Sequence, residues 1–120
     1  IEHWEHAISS GEAAGRRLLC ELDPEAADPG PFDPVPWFWS DQYDRKIQLV
    51  GTGGPAHALE VVDGAVERGS PAELRFAALY GREGRVTGVL AVNQPARLVR
   101  LRSLVVDGAD LATAAAEARR

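Results

Sequence analysis

The sequence has no methionine, one cysteine and one lysine among its 120 residues. A single cysteine excludes an internal disulfide and is typical of a reducing compartment, so we expect a cytoplasmic protein. No apolar run approaches the roughly 20 residues that a membrane-spanning helix needs. The formal net charge of −5 argues against nonspecific nucleic-acid binding, which requires cations that neutralise phosphates. The missing methionine suggests that Ile1 is not a natural start and that the chain is an excised piece.

Apolar residues make up 45% of the chain, which is enough for the core of one modest domain. Residues 3–20 are predicted to form a helix because Trp4, Ile8 and Leu18 recur at helical spacing. Gly11 and Gly15 fall on the same stripe, where we expect close approach of a backbone or a flat ligand. Residues 21–36 contain five prolines and no periodicity, so we interpret them as a linker with a domain boundary.

The remainder of the chain is predicted to form strands followed by two helices. Strands are expected at 47–50, 58–62, 74–80 and 85–93, the last two as a hairpin around the turn 81–84. One helix should start at Pro95, bury Leu98 and Leu101, and end at Gly108. Asp110 should cap a second helix, 111–117. The fold class is therefore α+β: a small antiparallel β-sheet with helices packed on one face, preceded by a single helix.

The segment 35–43 is the most informative part of the sequence. It places Trp37, Phe38 and Trp39 together, with Asp41 and Gln42 just after them, in what we interpret as a short loop. If the segment is extended, the two tryptophans face one way and Phe38 the other. One tryptophan would then fill a seam between domains, and another could face a planar ring with polar contacts from Asp41 and Gln42.

Other candidate groups carry less chemistry. His3 and His6 could share a helical face, but no strong third ligand lies near them, so we expect no metal site. Cys20 has no base to pair with and is interpreted as a structural side chain. The glycine-rich segment 51–54 runs into a proline rather than into a helix, so it is predicted to be a turn and not a nucleotide-binding motif.

Arginines and the single lysine form two basic clusters in this acidic chain. Arg97, Arg100 and Arg102 lie on the helix after Pro95, and Arg45 and Lys46 follow the aromatic segment. The ordinary interpretation is a solvated face. The alternative is a docking surface for an acidic partner, on which charge guides encounter.

The aromatic segment resembles a known family. Residues 35–43 are similar to the sequence that enters the C-terminal domain of the FAD-dependent NAD(P)H:ferredoxin reductases, of the rubredoxin- and putidaredoxin-reductase type. Residues 2–4 with 11–14 resemble the last helix of that family's FAD domain. Supporting similarities occur at 47–51, at 84–93 and in the arginine-bearing helix. The resemblance covers nearly the whole chain.

The resemblance implies a reductase that passes electrons from NAD(P)H through FAD to a small iron–sulfur protein. The chain would then contain the last helix of the FAD domain (1–22), a linker (23–36) and the C-terminal domain (37–120). It would cover the flavin side and carry part of the ferredoxin-docking face. Alone it would be inactive and would bind neither FAD nor NAD(P)H well, because the glycine fingerprints would lie elsewhere in the protein.

The same resemblance implies individual roles. The backbone of Trp4 would approach the isoalloxazine at the start of its helix, and Trp39 would lie near the flavin and the nicotinamide. Trp37 and Gln42 are further candidates for cofactor contacts, and Arg97 with Arg100 for docking of the iron–sulfur protein. His6 and Ser10 depart from the family's usual Asn and Gln. No residue is expected to act as nucleophile or general base.

Two alternatives remain open from the sequence. The chain could be a non-catalytic interaction module that binds a protein through the aromatic segment and Arg97 and Arg100. It could also come from a relative such as an apoptosis-inducing-factor-like protein that serves another acceptor. As an isolated fragment, the chain would lose the surface that normally covers the first helix and the aromatic segment. We therefore expect an exposed apolar patch, which self-association would relieve.

Overall fold

The computed structural model describes residues 3–66 and 74–120. It contains one five-stranded antiparallel sheet with the strand order β1-β2-β5-β4-β3. The described residues form three helices and five strands: α1 (Trp4–Leu22), β1 (Trp37–Gln42), β2 (Arg45–Gly51), β3 (Ala58–Gly64), β4 (Phe76–Arg82), β5 (Arg85–Val92), α2 (Pro95–Val106) and α3 (Leu111–Ala118). The predicted α+β class is confirmed.

The core lies between the sheet and helices α2 and α3. Alternate residues of the strands point toward the helices, and Leu79, Leu98, Val50 and Val89 are the largest side chains to be fully buried there. The opposite face of the sheet has a smaller cluster built on Phe76. The two helices that follow β5 therefore cover one face of the sheet, as the sequence predicts.

Local signals determine the ends of α2 and α3. Pro95 occupies the first turn of α2, and Gly108 follows it in the left-handed region at φ +54°. Asp110 caps α3, because its Oδ1 accepts hydrogen bonds from Thr113 N at 2.9 Å and Thr113 Oγ1 at 2.8 Å. These bonds are the main cause of a lowered pKa for the Asp110 carboxyl group.

The interpretation of the aromatic segment as a loop is wrong. Residues 37–42 form strand β1, which pairs with β2 in the register Trp37 to Val50 through Gln42 to Arg45. Tyr43 turns the chain at φ +57°, so the segment is one arm of a hairpin and lies at the edge of the sheet. The aromatic side chains suit a pleated, half-buried strand, and the preceding proline leaves the backbone extended.

The glycine-rich turn 51–54 is held against β4 and β5. A Cβ atom on Gly51, at φ +77°, would lie 2.2 Å from the carbonyl oxygen of Thr87, and one on Gly53 would lie 2.4 Å from the Tyr80 ring. Only glycine allows both approaches. By contrast, a Cβ atom on Gly11 or Gly15 of α1 would meet nothing within 4 Å among the described residues, so the close approach expected there is not made by this part of the chain.

Candidate functional site: an aromatic corner beside the first helix

Helix α1 lies across the edge strand with little burial. None of its residues is buried, and Trp4, Ile8, Leu18, Leu19 and Leu22 are all more than half exposed. The proline-rich segment folds back along the other side of the helix. The Nη1 atom of Arg17 lies 3.1 Å from Asp28 Oδ1, and the ring of His6 lies 5.5 Å from the ring of Phe32. The return of this segment brings the start of α1 to β1.

The start of α1 and the edge strand form an open pocket, which we call the aromatic corner. It has a volume of about 140 Å³, and its lining residues are His3, Trp4, Trp37, Phe38 and Trp39. The His3 and Phe38 rings are 4.8 Å apart. Complete small-molecule sites usually measure about 300–1,000 Å³. The aromatic corner is thus the right size for one wall of a site rather than for a whole one.

The predicted site residues do not all meet. Trp4, Trp37 and Trp39 come together at the corner, and Trp39 is 45% exposed there. Gln42 lies at the far end of β1, on the opposite face from Trp39, where its Nε2 donates to Ser40 Oγ at 2.8 Å. Phe38 occupies that opposite face as well, as the alternation predicts.

A neighbouring groove adds polar groups that sequence reasoning missed. It measures about 420 Å³ and lies between α1 and the helix-side face of the hairpin, lined by Glu5, Trp37, Trp39, Lys46 and Gln48. Gln48 Oε1, Glu5 Oε2 and Trp37 Nε1 are buried without a hydrogen-bond partner among the described residues. Gln48 could have been recognised as an inward residue, because it precedes the buried Val50 by two positions in a strand.

The uncapped N-terminal end of α1 adds hydrogen-bond donors to the aromatic corner. Its N-cap residue, His3, makes no side-chain capping hydrogen bond, so the first amide N–H groups of the helix keep their donor capacity. A helix start with free donors, next to aromatic walls, suits a planar ring that carries carbonyl oxygens. The described residues hold no group of three or more His, Cys, Asp or Glu side chains arranged for a metal ion.

A larger groove lies elsewhere, and its lining offers fewer groups that could bind a planar ligand. It measures about 610 Å³, lies between α1 and the proline-rich segment, and includes the small, half-buried residues Ser9, Ala13 and Gly30 in its lining. Volume alone would favour it. We give more weight to the aromatic corner, which brings aromatic faces and free backbone donors together in one place.

The basic residues of α2 point in different directions. The Nε atom of Arg97 lies 3.6 Å from Asp63 Oδ2, and its Nη2 donates to the carbonyl oxygen of Ala118. Arg97 therefore ties α2 to β3 and α3. Arg100 is exposed, and no carboxylate within residues 3–66 or 74–120 pairs with it. Arg102 lies over Trp37, with Cζ 5.3 Å from the ring centre.

Comparison with known proteins decides the family. The model of the Reductase C-terminal family matches residues 37–119. The chain belongs to this family. Within the described ranges, none of the helices has the length and apolar character required to cross a membrane.

The individual proteins to which this chain is similar are ferredoxin reductases. It is 41% identical over 108 residues to the ferredoxin reductase subunit of 5,5'-dehydrodivanillate O-demethylase from a Sphingobium species, covering 80% of this chain and 25% of that protein. It is 40% identical over 84 residues to a ferredoxin–NAD(P)+ reductase of a Sphingomonas species, covering 64% of this chain and 19% of that protein. The chain thus spans about a quarter or less of these relatives.

Solved structures share the fold. The crystal structure of Fdr9 has a TM-score of 0.70 and 36% identity, covering 92% of this chain and 26% of that one. The ferredoxin reductase for the CYP199A2 system of Rhodopseudomonas palustris has a TM-score of 0.67 and 30% identity, covering 100% of this chain and 28% of that one. The arrangement of strands and helices is therefore that of a ferredoxin reductase C-terminal domain.

Proposed function

We propose that this chain is the C-terminal part of a flavoprotein that passes electrons from NAD(P)H through FAD to a ferredoxin-type iron–sulfur protein. Residues 1–22 would be the last helix of the FAD domain, 23–36 a linker and 37–120 the C-terminal domain. The observation that carries the proposal is the aromatic corner, which joins Trp4 of α1 to Trp37 and Trp39 of the edge strand. The names of the relatives support the same reaction.

The exposed stripe of α1 supports the division into domains. Leu22 is 81% exposed and Trp4 is 74% exposed, whereas Leu79 of β4 and Leu98 of α2 are buried. A helix with no buried residue is stabilised by whatever packs on its apolar face, since isolated helices are marginal in water. We propose that the remainder of the reductase covers this stripe. In its absence, copies of this chain would associate through it.

FAD fits the corner on chemical grounds. The isoalloxazine is planar and carries carbonyl oxygens, and the corner offers aromatic faces with free amides at the start of α1. We propose that the Trp4 backbone and the Trp39 side chain contact the flavin and that Trp37 lies next to them, whereas Gln42, on the other face at the far end of β1, stays outside this contact. When bound, FAD would accept hydride from NAD(P)H and release single electrons.

The residues of this chain would bind, orient and exclude water rather than react. Trp39 would cover one side of the ring system and keep solvent from the transfer path. No side chain at the corner needs to gain or lose a proton for this work. The fragment alone should bind FAD weakly, because a pocket of about 140 Å³ forms only one wall of a site.

We propose that the exposed face of α2 contributes to docking of the iron–sulfur protein. Arg100 is an exposed cation on this helix, and the exposed Val99 lies next to it. Arg97 adds charge at the same end of the helix, although its guanidinium is engaged with Asp63. Such a surface would speed encounter with an acidic partner and would be sensitive to salt. We place the protein in the cytoplasm on the strength of its single cysteine.

The test is made on the full-length parent protein. It should carry the visible absorption bands of a flavin, which should bleach when NADH or NADPH is added without oxygen. Trp39→Ala should slow the bleaching or the reduction of an added ferredoxin, while Trp39→Phe should retain most of both. Tyr43→Ala is the matched control, because Tyr43 is a fully exposed aromatic residue at the end of the same strand. A parent protein without flavin would refute the proposal and favour the interaction module.

A further inference from the structure

Helix α2 carries three arginines with three different environments. Arg97 is held by Asp63 and the last turn of α3, and Arg100 points into solvent. Arg102 instead covers the ring of Trp37, with its Cζ atom 5.3 Å from the ring centre. That distance lies within the roughly 6 Å over which a cation is attracted to an aromatic face. The sequence grouped these residues as one basic cluster, but their contacts separate them.

Trp37 is the residue that the Arg102 guanidinium covers. The side chain is partly buried against the core, but its Nε1 atom is buried without an acceptor among the described residues. No hydrogen bond therefore fixes the rotation of the indole. The indole packs against the core, and the guanidinium of Arg102 lies over its ring. A guanidinium stacks on an aromatic face in a way that an ammonium group does not.

The orientation of Trp37 matters because of its position in the sheet. Among the described strands, β1 lies at the edge of the sheet and pairs only with β2, so its tilt is less constrained than that of an inner strand. Trp37 and Trp39 lie on the same face of β1, about 7 Å apart along the strand. Trp39 lines both the aromatic corner and the groove beside it. A change of tilt at Trp37 would therefore also turn Trp39, which shares its face of this edge strand.

We propose that Arg102 is a positioning residue: by holding Trp37 on the sheet, it fixes the direction in which Trp39 faces its planar ligand. The inference rests on the proposed function, because that function supplies the ring that Trp39 faces. Arg102 is exposed in this chain, as Arg100 is, but its guanidinium already lies over Trp37, so Arg100 is the arginine of α2 that we assign to a partner.

The experiment compares Arg102→Gln, Arg102→Lys and Arg100→Gln in the full-length, flavin-loaded parent. Each variant is measured by near-ultraviolet circular dichroism, by flavin content and by the rate of flavin bleaching at saturating NADH or NADPH. Arg102→Gln should change the tryptophan bands and slow bleaching about 3- to 10-fold, less than the roughly 100-fold loss that a 1 Å displacement can cause. Arg102→Lys should recover part of the rate, and Arg100→Gln should leave the tryptophan bands unchanged.

Two results would overturn the inference. One is an Arg102→Gln variant with unchanged tryptophan bands and wild-type bleaching. The other is an Arg102→Gln variant that loses thermal stability or flavin content while its loaded fraction bleaches at the normal rate, which would mark a purely structural contact. Failure of the proposed function looks different, because the unmodified parent would then lack flavin. In that case the circular dichroism of Arg102→Gln against Arg100→Gln still reports whether the guanidinium orders Trp37.

Discussion

The body of the sheet and helix α1 use the same apolar residues in opposite ways. Leu79 in β4 and Leu98 in α2 are 0% and 1% exposed, whereas Leu22 in α1 is 81% exposed. The body buries its leucines against residues that lie nearby in sequence, through the β4–β5 hairpin and the helices that follow it. Helix α1 has an equally regular apolar stripe and no surface to receive it among the described residues.

The difference separates a part that stabilises itself from a part shaped for a neighbour. The body resembles an ordinary domain core, whose stability comes from its own burial. The corner formed by α1 and β1 instead combines exposed aromatic rings, free helix amides and buried polar atoms without partners. These features destabilise an isolated domain and are expected at an interface. The following predictions test this contrast.

The largest contrast should be between leucines. In the isolated chain, Leu79→Ala should lower the free energy of unfolding by about 2–5 kcal/mol, because it leaves a cavity in a closed core. Leu22→Ala should change it by less than about 0.5 kcal/mol, as at other exposed positions. Urea unfolding monitored by circular dichroism measures both. Similar losses of unfolding free energy for the two variants would contradict the contrast between the body and α1. A larger loss for Leu22→Ala in the intact parent than in the isolated chain would support it.

Asn93 joins the edge hairpin to the body, and its removal should have the next largest effect. Its Oδ1 accepts from Lys46 N at 2.8 Å, and its Nδ2 donates to Leu74 O at 3.1 Å and Asp44 O at 3.3 Å. Asn93→Ala should lower the free energy of unfolding by about 2 kcal/mol, since each hydrogen bond makes a net contribution of about 0.5–1.5 kcal/mol.

The control for this variant separates hydrogen bonding from backbone conformation. Asn93 has φ +54°, so Asn93→Gly removes the side-chain bonds without steric strain. Thermal melts of the isolated chain should place Asn93→Gly below the wild type. A Gly variant as stable as the wild type would show that the side-chain bonds contribute little.

Replacing a glycine by alanine should lower the free energy of unfolding in the body of the sheet and raise it in helix α1. Gly51→Ala should destabilise by about 1–3 kcal/mol, because its φ is +77° and the new Cβ atom would meet Thr87 O. Gly11→Ala should stabilise the isolated chain by up to about 1 kcal/mol, since the position is helical and open. Denaturant titration of the two variants measures both changes in the free energy of unfolding. In the intact parent the gain at Gly11 should shrink or reverse where another surface packs on α1.

The smallest expected effect concerns the cap of α3. The folded-state pKa of Asp110 is lowered, first by the backbone hydrogen bond from Thr113 and then by that residue's hydroxyl group. The ionised cap therefore contributes its full stability at pH values above about 3.9, the pKa of the carboxyl group in the unfolded chain. This stability is lost as the pH falls through the lower pKa of the folded state. Asp110→Asn should have a slightly lower melting temperature than the wild type at pH 7, and the difference in melting temperature should become smaller below pH 4. Asp107→Asn, at the end of α2, is the control, and a gap independent of pH would contradict this explanation.

The body of the fold could be predicted from the sequence because its signals are local. The periodicity of Leu98 and Leu101, the glycine turn 81–84 and the cap at Asp110 each lie within a few residues of the element they define. Even so, the hairpin strands were expected to begin at Leu74 and end at Asn93, whereas they run from Phe76 to Val92. The difference of one or two residues is usual at the ends of elements.

The edge strand and the corner could be predicted only in part. Strand β1 was interpreted as a loop because its pairing partner, β2, lies beyond a turn at Tyr43 that carries no glycine. The meeting of Trp4 with Trp39 depends on the return of the proline-rich segment along α1, for which the sequence has no periodic signal. Arg102 was missed as a partner of Trp37, although its spacing of four residues from the buried Leu98 places both on one side of α2.

The central claim is that α1 and β1 form one wall of a flavin site that the rest of the reductase completes. Hydrogen exchange of the full-length parent, with FAD bound and after its removal, tests this most directly. We expect FAD to protect the amides at the start of α1 and in β1, while β4 and β5 exchange slowly in both states. Equal exchange at α1 and β1 with and without FAD would contradict the account, as would protection confined to the groove along residues 29–34.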